Sequence, residues 1–130
     1  MLPAVKTTAI VAAVLLALLG AFQLALAAGA PWGRAAYGGT RPGVLPPGLR
    51  ITSLVFGALV YPAAILFVLD AGGVLSLSWL PGPRTVIMWI LVGFFALGTA
   101  ANLSSRSPIE RLWGPVTAAI AACCAIIALA

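Results

Sequence analysis

Residues 7–28 have the sequence TTAIVAAVLLALLGAFQLALAA, which contains no charged side chain. About 20 consecutive apolar residues are enough for an α-helix to cross the hydrocarbon core of a bilayer. A secretory signal would also place a basic residue before an apolar run, and Lys6 together with Ala25-Leu26-Ala27 fits that pattern. Signal cores are only ~7–15 residues long. We therefore expect this segment to be a retained transmembrane helix.

The few charged side chains are spaced so that four long apolar tracts lie between them. The chain has 130 residues, 63% hydrophobic and 7% charged, whereas an average soluble domain has roughly 25% charged residues. The charged residues are Lys6, Arg34, Arg41, Arg50, Asp70, Arg84, Arg106, Glu110 and Arg111. Membrane-spanning strands are ~10 residues long, shorter than these tracts. We predict one all-α membrane domain, residues 1–130, with four transmembrane helices at about 7–28, 51–69, 84–103 and 108–129 in an antiparallel bundle.

The second tract contains a proline near its centre, at Pro62. Proline removes a backbone donor and crowds the carbonyl four residues earlier, here that of Ala58, so a kinked second helix is predicted. Two interpretations of Tyr61 and Pro62 are open. They form a hinge or a ligand contact, or they belong to an ordinary kinked helix. Gln23 and Asn102 are the other polar side chains singled out in or near the spans.

Small residues recur at every fourth position in the first and last spans. Such rows let helices approach closely in lipid, although alanine is common enough here for the spacing to arise by chance. We expect these rows to mediate helix packing. The positions are Ala9, Ala13, Ala17, Ala21 and Ala25 in the first span, and Gly114, Ala118 and Ala122 in the last.

Basic residues concentrate in and beside loop one (residues 29–48, between the first and second spans) and loop three (between the third and fourth spans). Five arginines lie there, Arg34, Arg41, Arg50, Arg106 and Arg111, against Lys6 and Arg84 on the other side. The positive-inside rule places both loops in the cytoplasm and both termini outside. With Trp32 and Trp113 at the interface, the arginines either converge to bind anionic headgroups or only set this orientation.

The sequence contains no recognisable catalytic or metal-binding pattern. It has no histidine, and the adjacent Cys123 and Cys124 do not form a C-x-x-C pair. Ser107 and Glu110 form an S-x-x-E capping box, which predicts that the Glu110 carboxylate bonds back to the Ser107 N–H rather than acting as a catalytic acid. We expect no enzymatic activity, no cofactor and no nucleic-acid partner.

Three motifs resemble a set of small bacterial four-helix integral membrane proteins of unassigned function. They are GAPWG at 29–33, LPPGLR at 45–50 and NLSSRSPIERLWGP at 102–115. The resemblance implies the same fold and a bacterial cytoplasmic (inner) membrane location, and it brings no functional residues. Small multidrug antiporters are similar in length, but their first helix carries a glutamate, and here the polar residue in that helix is Gln23.

These observations predict a non-enzymatic multi-pass membrane component, such as an accessory or assembly subunit. It would contact lipid headgroups or a partner membrane protein, and either that partner or a second copy of the chain would pack on its helices. The alternative is a small oligomeric transporter or channel, motivated by Gln23, Tyr61, Pro62 and Asn102.

Overall fold

The computed structural model describes residues 2–130, and helices make up 75% of the structure. Four helical spans are long and apolar enough to cross a membrane: Pro3–Ala27, Pro47–Ala71, Arg84–Leu103 and Pro108–Leu129. This confirms the prediction of four such helices. The first two begin about one turn earlier than predicted, because Pro3 and Pro47 occupy their first turns, where a missing N–H costs nothing.

Two of the four spans are divided into shorter elements. The helices are α1 (Pro3–Ala27), α2 (Pro47–Val55), α3 (Tyr61–Ala71), α4 (Arg84–Leu103), α5 (Pro108–Arg111) and α6 (Trp113–Leu129). Loop one contains two short 3₁₀ turns, Gly33–Ala35 and Tyr37–Gly39.

A π-helical segment, Phe56–Val60, joins α2 to α3. It ends with a hydrogen bond from the Tyr61 N–H to the Phe56 carbonyl, five residues back. The segment lies just before Pro62, whose ring crowds the preceding turn. A π turn is wider than an α turn and leaves more room for the ring. Tyr61 is buried, while Pro62 lies on the outer surface of the bundle. The structure thus has a π segment just before Pro62, and the predicted kink stays a prediction.

Each span packs mainly against two neighbours, and a smaller contact joins α3 to α6. α1 packs against the second span and against α6, α6 packs extensively against α4, and α4 packs against α3. The core is formed by residues of all four spans, including Leu16, Val68, Met88, Phe95 and Ile120.

Gly57 in the second span and Gly72 just after it lie tightly against α1. An added Cβ on Gly57 would lie 2.8 Å from Leu24 Cγ and 3.0 Å from the Gly20 carbonyl oxygen, and one on Gly72 would collide with Ala9. In lipid, where apolar contact with neighbours and with acyl chains is similar, such close backbone approach contributes strongly to helix association.

The rows of small residues do not form the continuous packing faces that the sequence suggested. Ala9 is fully buried, Ala13 and Ala25 are half-buried, and Ala17 and Ala21 are exposed. At 3.6 residues per turn each step of four turns the row by about 40°. From Ala9 to Ala25 the row rotates by about 160° and leaves the core. The buried face of α1 instead follows mixed steps of three and four residues from Val5 onward.

The same rotation applies to the last span. Gly114 is buried, and an added Cβ there would collide with Leu103 of α4, whereas Ala118 and Ala122 are exposed. The buried face of α6 runs instead through Thr117, Ile120 and Cys124.

Candidate functional site

Loop one is closed on itself at its base. The Gly33 N–H donates to the Gly43 carbonyl oxygen at 2.8 Å, and Trp32 and Gly43 form an isolated β-bridge. An added Cβ on Gly33 would collide with the Arg41 carbonyl. Only glycine lets the two limbs of the loop meet this closely.

The centre of loop one is attached to the second span through Tyr37. Its hydroxyl lies 2.8 Å from Ser53 Oγ, and Ser53 is completely buried. Tyr37 has φ of 50°, followed by Gly38 at 77° and Gly39 at 72°. A left-handed conformation costs a bulky residue on the order of 1–3 kcal/mol, and the side-chain hydrogen bond helps to offset it.

The start of the fourth span holds the other side of loop one. Glu110 is only 5% exposed, and its Oε2 accepts a hydrogen bond from the Gly38 N–H at 2.9 Å. The Ser107 hydroxyl donates to the Arg34 carbonyl oxygen. Residues far apart in the sequence thus fix the loop against the bundle.

One half of the predicted capping box is present and the other is replaced. Ser107 Oγ accepts a hydrogen bond from the Glu110 N–H at 3.4 Å, as an N-cap should. The Ser107 N–H, however, donates to Ser105 Oγ, and the Glu110 carboxylate binds Gly38 instead. The expectation that Glu110 bonds back to Ser107 was therefore wrong, because loop one supplies a competing donor.

The five arginines of loops one and three have different environments. Arg34, Arg41, Arg106 and Arg111 are exposed. Arg50 is half-buried, and its Nε donates at 3.0 Å to the Ala27 carbonyl at the end of α1, where helix carbonyls lack internal partners. Within residues 2–130 the only ion pair joins Asp70 to Arg84. None of the exposed four therefore has a carboxylate within salt-bridge distance.

Two of these arginines share one cleft. Arg34 and Arg106 line a cleft of about 420 Å³, together with Ser107 and Ile109. Arg50 lines a separate cleft of about 420 Å³ beside Leu24. The structure therefore brings together Arg34 and Arg106 but does not bring Arg50 to the same place.

An apolar groove of about 700 Å³ adjoins the cleft lined by Arg34 and Arg106. Its aromatic wall consists of Phe22, Trp32 and Trp113. The Phe22 ring is parallel to that of Trp32 to within 3°, with 6.4 Å between ring centroids, and its centroid lies 4.8 Å from that of Trp113. Arg34 and Ile109 line both the groove and the cleft, so the two lie next to each other. Trp32 and Trp113, selected from sequence as interfacial residues, thus belong to one surface feature.

A smaller pocket of about 180 Å³ lies deeper between the helices. Gln23, Tyr61 and Asn102, three of the polar residues selected from sequence, line it together with Glu110 and Thr117. The Gln23 side-chain oxygen is buried and has no hydrogen-bond partner among residues 2–130. Thr117 Oγ1 lies 2.9 Å from Thr99 Oγ1 and links α6 to α4.

Pro62, the fourth residue of that set, does not line this pocket. It lies in a shallow outer cleft with Ala17 and Ala21.

Sequence reasoning missed an ion pair at the opposite end of the bundle. Asp70, at the end of α3, pairs with Arg84, which begins α4, and it also accepts a hydrogen bond from the Leu77 N–H at 2.6 Å. The Arg84 guanidinium donates to the carbonyls of Leu77, Leu80, Pro81 and Gly82. The sequence did contain a signal for this pair, because an acidic residue ends the second span and a basic residue begins the third.

Searches against protein-family models, curated proteins and solved structures found no match to this chain. Within residues 2–130, no group of three or more histidine, cysteine, aspartate or glutamate side chains is placed to hold a metal ion.

Proposed function

We propose that the protein is a non-enzymatic, multi-pass component of a bacterial cytoplasmic membrane that contacts anionic lipid headgroups through loops one and three. The observation that carries the proposal is the set of four exposed arginines without carboxylate partners beside an aromatic groove. Clusters of basic residues next to spans attract anionic lipids, and tryptophan favours the headgroup level. The loop motifs that resemble those of small bacterial membrane proteins support the location.

The proposal includes an orientation and a helix arrangement. The four spans form an antiparallel bundle, bent in its second helix at the π segment, with both termini outside and loops one and three in the cytoplasm. The five-to-two distribution of basic residues supports this orientation. Loop two comprises residues 72–83, between the second and third spans. A cysteine introduced at exposed Thr40 in loop one should resist an impermeant thiol reagent in intact cells, whereas one at exposed Ser78 in loop two should react. Labelling only of the Thr40 site would contradict the orientation.

The headgroup function is tested in nanodiscs assembled from equal amounts of phosphatidylglycerol and phosphatidylcholine. The lipid retained by the purified protein should be enriched in phosphatidylglycerol. Replacing Arg34, Arg41, Arg50, Arg106 and Arg111 with glutamine should remove the enrichment, because each basic residue near an anionic surface contributes about 1 kcal/mol. Lys6→Gln, at the opposite end, serves as the control. Equal retention of both lipids by the parent protein would contradict the proposal.

The second candidate is a small oligomeric transporter or channel. The deep pocket favours it, because intramembrane polar groups such as Gln23 and Asn102 often line substrate paths. Four helices enclose too little space for a wide pore, so transport would require assembly with other copies. A strictly monomeric protein in nanodiscs would rule out this candidate.

A further inference from the structure

We infer that the apolar groove holds one acyl chain of an anionic phospholipid while the adjoining Arg34–Arg106 cleft holds its phosphate. This inference rests on the proposed function and assigns it to one site. It also gives the two exposed arginines a different role from Arg41 and Arg111, which line neither the groove nor the cleft.

The groove has the size and chemistry of a site for an apolar chain. Its volume of about 700 Å³ falls within the ~300–1,000 Å³ of ligand pockets, which are mainly apolar with few polar groups. Its lining is aromatic and aliphatic except for Arg34. The side chains at its edge are open to the surroundings: Trp32 is 51% exposed and Leu112 is 71% exposed. A chain can therefore enter sideways from the lipid.

The charge at one end of the groove selects the headgroup. Arg34 lines both compartments, and Arg106 stands with it in the cleft. Guanidinium groups present forked donors that match phosphate oxygens, and no carboxylate in residues 2–130 pairs with either arginine. A ligand that is apolar along its length and anionic at one end is complementary to the groove and to the cleft. A phospholipid has this form, whereas an apolar partner helix would leave the two cations without counter-charge.

Hydrogen bonds and aromatic contacts within the protein hold the residues of the site. The Ser107 hydroxyl holds the Arg34 carbonyl, and the Gly33–Gly43 hydrogen bond closes the loop that carries Trp32 and Arg34. Phe22, on the long helix α1, supports both tryptophans. A site built on ordered backbone loses less conformational entropy on binding, which favours one retained lipid over general surface contact.

The test titrates the delipidated, detergent-purified full chain with phosphatidylglycerol or with phosphatidylcholine of the same acyl chains, using native mass spectrometry to count bound lipids. Val116→Trp fills the groove, and Trp32→Ala removes part of its wall at an exposed position that folding should tolerate. Leu97, on α4, is 75% exposed, and Leu97→Trp is the matched control for the added ring. The double variant Arg34→Gln/Arg106→Gln removes both cations of the cleft. The double variant Arg41→Gln/Arg111→Gln, which removes the same charge elsewhere, is its matched control.

The parent should bind one phosphatidylglycerol more tightly than phosphatidylcholine. Val116→Trp and Trp32→Ala should each weaken that binding at least ten-fold, and Leu97→Trp should leave it unchanged. The Arg34/Arg106 double variant should lose about five-fold for each arginine, the equivalent of about 1 kcal/mol, while the Arg41/Arg111 variant should lose less than two-fold.

Three results would overturn the site. They are parent-like binding by both groove variants, equal losses in the two arginine double variants, and complete displacement of the lipid by millimolar inorganic phosphate. If they occur while the five-arginine variant still loses its enrichment in nanodiscs, the proposed function stands and only its assignment to this groove fails. If the five-arginine variant keeps its enrichment, both fail. A dimer that excludes the lipid would identify a second copy of the chain as the occupant.

Discussion

Replacing Gly57 with leucine is expected to lower the free energy of unfolding by about 3 kcal/mol, at the upper end of the ~1–3 kcal/mol typical of overpacking. Even a single added Cβ would lie 2.8 Å from Leu24 Cγ and 3.0 Å from the Gly20 carbonyl oxygen. The latter atom is backbone, so relief requires that α1 and the π segment move apart. The measurement is thermal or denaturant unfolding in detergent, followed by circular dichroism.

The control is Gly93→Leu on α4, where an added Cβ meets no atom within 4 Å. It should leave stability nearly unchanged. Because two of the three closest atoms around Gly57 belong to Leu24, Leu24→Ala should recover part of the loss in a Gly57→Ala background. If Gly57→Leu and Gly93→Leu have the same stability, α1 and the second span are not packed as described.

Removal of the Arg84 guanidinium is expected to cost about 2 kcal/mol. Hydrogen bonds to charged groups contribute roughly 1.5–3 kcal/mol each. The Asp70–Arg84 pair is partly exposed, with side-chain exposures of 15% and 24%, so we place the net loss well below the sum of its bonds. Arg84→Gln should also free loop two, because the same group holds its backbone carbonyls.

The pairwise character of this contact is measured with a double-mutant cycle. Asp70→Asn and Arg84→Gln should each destabilise the protein, and the double variant should lose about 1–2 kcal/mol less than the sum of the two. Lys6→Gln, which removes an exposed cation near the start of α1, should have little effect. Strictly additive losses would show that Asp70 and Arg84 act independently.

The spans could be predicted because they depend on local composition. The charge-free tract at 7–28 acts within one segment. The starts of the first two helices were predicted about one turn late, because the prolines at 3 and 47 were not used as start signals. The rows of small residues are not continuous faces of the core within one chain, because a helix of 3.6 residues per turn rotates a row repeated every four residues out of that core. Packing of their exposed members on another chain stays a prediction.

The contacts that build the candidate site could not be predicted in the same way. Gly38 meets Glu110 across 72 positions, and Tyr37 meets Ser53 across 16. No periodicity marks these partners, and the capping-box pattern even gave Glu110 a competing local role. Arg34 and Arg106 share a cleft only because loop one folds back over the start of α5. The types of site residue follow from sequence, whereas their grouping depends on how the loop is held.

The dependence of loop one on Ser107 and Glu110 has a consequence for biosynthesis. The hydrogen bonds to Arg34 and Gly38 cannot form until residues 73 and 72 positions later have been made. At ~5–20 residues per second, this leaves an interval of roughly 4–14 s. Only at the end of that interval does the ribosome-attached chain have three spans, and its loop one is still unfastened. Chains truncated before Ser107 should therefore have loop one open to protease, and the full chain should protect it.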